Sequence, residues 1–140
     1  MPNWCENRVE VHAYECEDEL KAFKELVTSD DCGFDFNKIL PMPDALESTV
    51  KGSEHVPSEE LKEKYGFDNW YDWRIHNWGT KWNVDDPLDD MNDEGDYIEY
   101  RFETAWAPPE GIYQELKRKF PNLNITWFYD EPGMQFAGYL

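Results

Sequence analysis

The sequence contains no apolar run long enough to cross a membrane, for which about 18 residues or more are needed. Its first six residues lack the basic and apolar regions of a secretory signal peptide. We therefore predict a cytoplasmic protein without a membrane partner.

Basic residues are also scarce, since 13 Lys and Arg stand against 31 Asp and Glu and the formal net charge is −18. Such a chain repels nucleic-acid phosphates and anionic lipids, and it attracts basic proteins. We predict a basic protein as the partner and no direct contact with nucleic acid. Hydrophobic residues make up 40% of the chain, enough to fill a core at this length, so a folded single domain over residues 1–140 is expected.

Cysteine is too sparse and too irregular for a disulfide framework or a metal centre. Cys5, Cys16 and Cys32 form no C-x-x-C pair, and one thiol would be left over if two were bridged. Their spacing to the histidines matches no zinc pattern, and they cannot hold an iron–sulfur cluster. We therefore predict free thiols and no cofactor.

Periodicity indicates alternating strands and helices along the chain. Val9 and Val11 alternate with polar residues as in a half-buried strand, whereas Leu20, Phe23 and Val27 follow the spacing of one helical face. In chain order, the predicted elements are a strand at 8–12, a helix at 17–30, a strand at 34–37, helices at 58–65 and 68–78, a strand at 96–106, a helix at 108–120, and a strand pair beginning at 123 and at 134.

This order predicts a ferredoxin-like α+β sandwich. Its sheet is expected to be mostly antiparallel, with two helices on one face. The irregular segment of about 44–95 is expected to be a helical insertion between the two half-motifs.

Several segments together are similar to a known family: MPNWCENRVEV, FDFNKILPMP, NWGTKW, FETAWAPP and FPNLNITWFYDEPGMQFAGY. They resemble the YubB-like ferredoxin-like domain family of phages and plasmids, in that family's order over nearly the whole chain. The resemblance implies a ferredoxin-like fold and a mobile-element origin, which would place the protein in the host cytoplasm. It implies no established activity and no catalytic residues.

Acidic residues are densest between residues 83 and 105, where nine acids stand against one base. One interpretation is a solvated loop, and another is a partner-binding surface that imitates the phosphates of DNA. An EF-hand reading fails because its twelfth position falls on Arg101, which leaves at most weak cation binding. The candidate partner-binding residues are Asp85, Asp86, Asp89, Asp90, Asp93, Glu94 and Asp96.

A second candidate surface consists of the tryptophans Trp70, Trp73, Trp78 and Trp82. On a helix, Trp70 and Trp73 share a face, so core packing is the first interpretation. The alternatives are an aromatic contact to a partner protein and a platform for a sugar ligand.

No catalytic motif of the G-x-S-x-G, Walker A, H-E-x-x-H or G-x-G-x-x-G type occurs. The enzymatic alternative is a tautomerase-like reaction with Pro2 as the amino-terminal base, which requires a pocket that lowers its pKa. The sequence instead favours a non-enzymatic, acidic phage or plasmid accessory protein that binds a basic protein of host or phage, with DNA-mimic inhibition as the more specific hypothesis.

Overall fold

A five-stranded antiparallel sheet forms the centre of the computed structural model, which describes residues 2–49, 57–84, 88 and 91–140. The strand order is β2-β3-β1-β4-β5. The strands are β1 (Trp4–His12), β2 (Met91–Asp93), β3 (Tyr97–Ala105), β4 (Asn124–Glu131) and β5 (Phe136–Tyr139). The helices are α1 (Glu17–Val27), α2 (Phe36–Ile39), α3 (Asp44–Glu47), α4 (Glu59–Tyr65), α5 (Trp70–Asn77) and α6 (Glu110–Lys119).

Helices α1 and α6 cover the same face of the sheet, as predicted. In the strand register Val9 lies opposite both Tyr100 and Trp127, so these three side chains share one face. Phe23 of α1 contacts the Tyr100 ring, and Tyr113 of α6 contacts the Trp127 ring. The aromatic core therefore lies between the sheet and the two helices, and the opposite face of the sheet carries the alternate residues of each strand.

The predicted strand at 34–37 is wrong. Phe34 forms an isolated bridge with Val84, and Phe36 begins α2. Asp35 favours this helix because its carboxylate accepts from the backbone N–H groups of Asn37 and Lys38. Phe34 and Phe36 are nevertheless both fully buried, which explains their alternation with polar residues.

The second strand of the sheet is instead β2, which forms a hairpin with β3. Helices α2 to α5 therefore lie between α1 and β2. The prediction had placed the helical insertion between the half-motifs, after the second strand. The difference arises because β2 has only three residues, all of them exposed, and so carries no apolar alternation.

The helix boundaries of α4 and α5 follow local chemistry. The Ser58 hydroxyl accepts from the Leu61 N–H, and Gly66 ends α4 at a φ of 84°. Asn69 caps α5 by accepting from the Asp72 N–H. Gly79, shortly after α5, adopts a left-handed conformation with a φ of 95°.

Within the part of the chain that the structure describes, no helix has the length and apolar character needed to span a membrane.

Candidate functional site

The predicted acidic segment is only partly within the described residues. Asp85, Asp86, Asp89 and Asp90 lie outside them. Asp93, Glu94 and Asp96 lie at the β2–β3 hairpin, where Gly95 has a φ of 91°. The structure thus places the last three candidate residues together in one turn.

Asp93 is engaged within its own chain. Its Oδ1 accepts a hydrogen bond of 2.9 Å from Lys24 Nζ and one of 3.0 Å from the Gly95 N–H. The hydrogen bond from Lys24 holds the pKa of the Asp93 carboxyl below its usual range. Asp93 therefore connects the hairpin to α1, while the neighbouring Glu94 remains exposed.

Two of the four candidate tryptophans belong to the core. Trp78 is fully buried and donates from Nε1 to the Leu40 carbonyl at 2.9 Å, and Trp73 is also buried. The Arg74 guanidinium lies 5.1 Å from the centre of the Trp70 ring and 4.8 Å from that of Trp78. The four residues thus do not form one exposed patch, because Trp73 of α5 and Trp78, which directly follows α5, are both buried.

Trp82 lies on the surface beside a tryptophan that the sequence analysis did not select. The rings of Trp82 and Trp4 are 38% and 40% exposed, with centroids 6.0 Å apart. Lys81 Nζ lies 4.2 Å from the centre of the Trp82 ring. Trp106 ends the strand predicted over 96–106, but its φ of 70° takes it out of the strand alternation, and it is exposed.

The uncovered sheet face carries a pattern of charge that the sequence analysis missed. Glu6 lies directly opposite Glu103 on β3 and Asp130 on β4. These three carboxylates form a line across three strands, which we call the acidic row. Among residues 2–49, 57–84, 88 and 91–140, no Lys or Arg forms an ion pair with any member of the acidic row.

The next line of residues across this face is basic. Arg8 lies opposite Arg101 on one side and Phe128 on the other. Both arginines contact glutamates two residues along their own strands, with Arg8 Nε 3.5 Å from Glu10 Oε1 and Arg101 Nε 2.6 Å from Glu99 Oε1.

The arginines therefore compensate Glu10 and Glu99 on the side away from the acidic row. The hydrogen bond from Arg101 lowers the pKa of Glu99. Burial, followed by the hydrogen bond to Glu99, raises the pKa of Tyr97 to about 12. The Tyr97 hydroxyl consequently stays neutral and serves as a donor to Glu99 at neutral pH.

A cavity of about 350 Å³ lies between the acidic row and the arginines. Its side-chain walls include Glu6 and Glu103, Arg8 and Arg101, and the Phe128 ring. The Arg8 guanidinium lies 5.1 Å from the centre of the Phe128 ring. The cavity thus combines carboxylates, guanidiniums and one aromatic surface.

Two groups of the described chain bear on the enzymatic alternative, the amino-terminal proline and the Cys5 thiol. Pro2 is half-buried and precedes β1, which begins at Trp4. Burial raises the pKa of the Cys5 thiol to about 11, so it stays protonated and unreactive at neutral pH. Across the described residues, no group of three or more His, Cys, Asp and Glu side chains could hold a metal ion.

Comparisons with known proteins agree with this fold. Residues 77–140 match a family model described as "Ferredoxin-like domain in Api92-like protein", and the match covers 64 of the 140 residues. The chain is similar to the crystal structure of the protein api92 from Yersinia pseudotuberculosis, with a TM-score of 0.60 and 12% identity. That similarity covers 99% of this chain and 93% of the other. Among curated proteins, no match was found.

These findings establish a ferredoxin-like α+β fold with an open five-stranded antiparallel sheet. The structural similarity extends over nearly the whole chain, whereas the match to the family model covers only residues 77–140.

Proposed function

We propose that this chain is a non-enzymatic, acidic accessory protein of a phage or plasmid, and that it binds a basic protein of host or phage. The observation that supports the proposal is the acidic row. Carboxylates that lie directly opposite one another in a sheet destabilise it, typically by about 0.2–1 kcal/mol a pair. Glu6, Glu103 and Asp130 thus reduce the stability of the fold, and a cationic partner would remove their mutual repulsion.

The charge of the whole chain favours the same partner. A net charge of −18 raises the rate at which a basic protein is encountered, and it disfavours nucleic acid and anionic lipid. The acidic segment of 85–96 adds to this attraction. Of its described members, Glu94 is exposed, whereas Asp93 already bonds to Lys24.

The proposal is tested with a variant that neutralises the acidic row, Glu6→Gln/Glu103→Gln/Asp130→Asn, which we call the row variant. The matched control removes three exposed carboxylates from α1 and α4, by Glu25→Gln/Glu60→Gln/Glu63→Gln, and is called the helix control. Both variants change the net charge equally, so that only the location of the lost charge differs. A third variant neutralises Asp85, Asp86, Asp89, Asp90 and Asp93 and tests the segment of 85–96.

Proteins captured from a bacterial lysate at low and high salt are identified, and the dissociation constant of the main basic partner is then measured in purified form. We expect salt-sensitive binding that the row variant weakens by about tenfold or more, because three carboxylate contacts are lost. The helix control should change the constant by no more than about twofold. Equal weakening by the two variants would contradict a role for the acidic row.

DNA mimicry is the specific form of the proposal in which the partner is itself a nucleic-acid-binding protein. Carboxylates then occupy the positions of phosphates in the basic cleft of the partner. In that case duplex DNA and this chain should compete for the purified partner, and simultaneous binding of both would exclude mimicry.

A further inference from the structure

We infer that the cavity on the uncovered sheet face receives an arginine side chain from an extended segment of the partner, and that its guanidinium binds Glu6 and Glu103 together. This inference rests on the proposed function and names the chemistry that the basic partner would bring. The proposed contact with the partner therefore lies on the sheet and not in the segment of 85–96.

The spacing of the two glutamates suits a guanidinium. Glu6 and Glu103 are direct cross-strand neighbours, and such residues have Cβ atoms about 4.5–5.5 Å apart. A guanidinium presents five N–H donors in a planar fork, so that one group can bond both carboxylates. A lysine ammonium is a compact point charge that gains less from two acceptors held side by side.

The charge balance of the face favours a cation despite the two resident arginines. The acids are Glu6, Glu103, Asp130, Glu10 and Glu99, and the bases are Arg8 and Arg101, so the local sum is −3. Arg8 and Arg101 contact Glu10 and Glu99, whereas the described residues provide no ion pair for Glu6 or Glu103. An incoming guanidinium therefore meets the uncompensated side of the cavity.

The other cavity wall suits the main chain of an extended segment. The Arg8 side chain is partly exposed, and its Nε lies 3.5 Å from Glu10 Oε1 without forming a hydrogen bond within the described part of the chain. A guanidinium donates but never accepts, and main-chain carbonyls of a bound segment are neutral acceptors for it. The cavity volume of about 350 Å³ lies within the range of about 300–1,000 Å³ that is usual for ligand sites.

Aromatic rings add planar surfaces beside the acidic row. Phe128 forms part of the cavity wall, and Trp4 lies two residues from Glu6 on the same face of β1. A guanidinium stacks on such rings more readily than an ammonium does, because it is planar and more weakly hydrated. Both features increase the expected preference for arginine over lysine.

The test uses three short capped peptides in which serine alternates with arginine, with lysine or with citrulline. Alternation places the long side chains on one face of an extended peptide, and citrulline retains the shape of arginine without its charge. Dissociation constants are measured by calorimetry on the full chain. We expect the arginine peptide to bind about fivefold tighter than the lysine peptide, and the citrulline peptide to show no binding.

The decisive variant is Glu6→Asp/Glu103→Asp, which keeps the net charge but withdraws each carboxylate by one methylene. Its matched control is Glu60→Asp/Glu63→Asp on α4. The preference for arginine should fall to near unity in the first variant and persist in the control. Equal affinity of the wild type for arginine and lysine peptides would overturn the inference, as would a preference that survives the decisive variant.

A measurement on the wild type is independent of whether the variants fold, and it uses amide chemical shifts. Titration of the arginine peptide should perturb Glu6, Arg8, Glu103 and Phe128 more than the residues of α4. Perturbations elsewhere would overturn the inference. A different result would contradict the proposed function, namely a row variant that keeps its affinity for the basic partner.

Discussion

At the scale of single residues, Asn7 joins the three central strands. Its Nδ2 donates to Thr104 Oγ1 at 2.9 Å and to the Cys5 carbonyl, and its Oδ1 accepts from Trp127 Nε1 at 3.0 Å. Asn7 lies on the covered face with Val9 and is 3% exposed. The predicted strand at 8–12 did not include Asn7, and its partners became known only from the pairing of β1 with β3 and β4.

Asn7→Ala should lower the free energy of unfolding by about 2–3 kcal/mol, because it leaves a cavity and removes the acceptor of a buried indole N–H. Urea denaturation followed by circular dichroism measures this change. Asn92→Ala, in the exposed strand β2, is the control and should stay within about 0.5 kcal/mol of the wild type. A similar cost for the two variants would show that the Asn7 hydrogen bonds are replaced by water.

At the scale of elements, the end of α5 lies directly against the start of α6. The Gly111 N–H donates to the Trp78 carbonyl at 3.1 Å. A Cβ atom added to Gly111 would clash with the backbone oxygen of Asn77. Glycine at this position thus permits a close approach of the two helices. The periodicity of residues 110–119 predicts a helix but does not indicate this contact.

Gly111→Ala tests this contact, since alanine favours an isolated helix over glycine by about 1 kcal/mol. We expect the opposite result here, a loss of about 1–3 kcal/mol or more, because the clash is with backbone atoms that must move. Thermal and urea unfolding measure the change. Gln114→Ala, at an exposed position of the same helix, should have little effect, and a stabilised Gly111→Ala protein would contradict the close packing.

At the scale of the whole molecule, the charges that we propose for partner binding differ from the residues that stabilise the fold. The acidic row lies on the face of the sheet opposite to α1 and α6, and its carboxylates lie opposite one another. Binding surfaces commonly retain features that reduce the stability of the free protein. We therefore expect the acidic row to lower the free energy of unfolding of the free protein and to increase its affinity for the basic partner.

The row variant should be more stable than the helix control by about 0.5–1 kcal/mol at low salt, because it alone relieves the cross-strand repulsion. The difference should shrink at high salt, which screens exposed charges. Parallel urea titrations at two salt concentrations provide the measurement. A row variant that is no more stable than the helix control would contradict the repulsion on which the proposed function depends.

Local features of the sequence were sufficient for much of the fold. The strands β3 and β4 and the apolar face of α1 each depend on residues within one element, and the structure confirms them. The strand at 34–37 was mistaken because two buried rings on either side of an aspartate imitate the alternation of a strand. The exposed strand β2 was missed because it becomes a strand only through pairing with β3.

The sequence by itself determined the ferredoxin-like fold class, the lack of a recognisable catalytic motif and the net charge of −18. Only the tertiary structure decided that Trp73 and Trp78 are buried, and that Glu6, Glu103 and Asp130 meet in one row. Periodicity assigns a residue to a face of its own strand, whereas the register of strand pairing decides its neighbours. That register follows from contacts between residues about a hundred positions apart, which no local pattern contains.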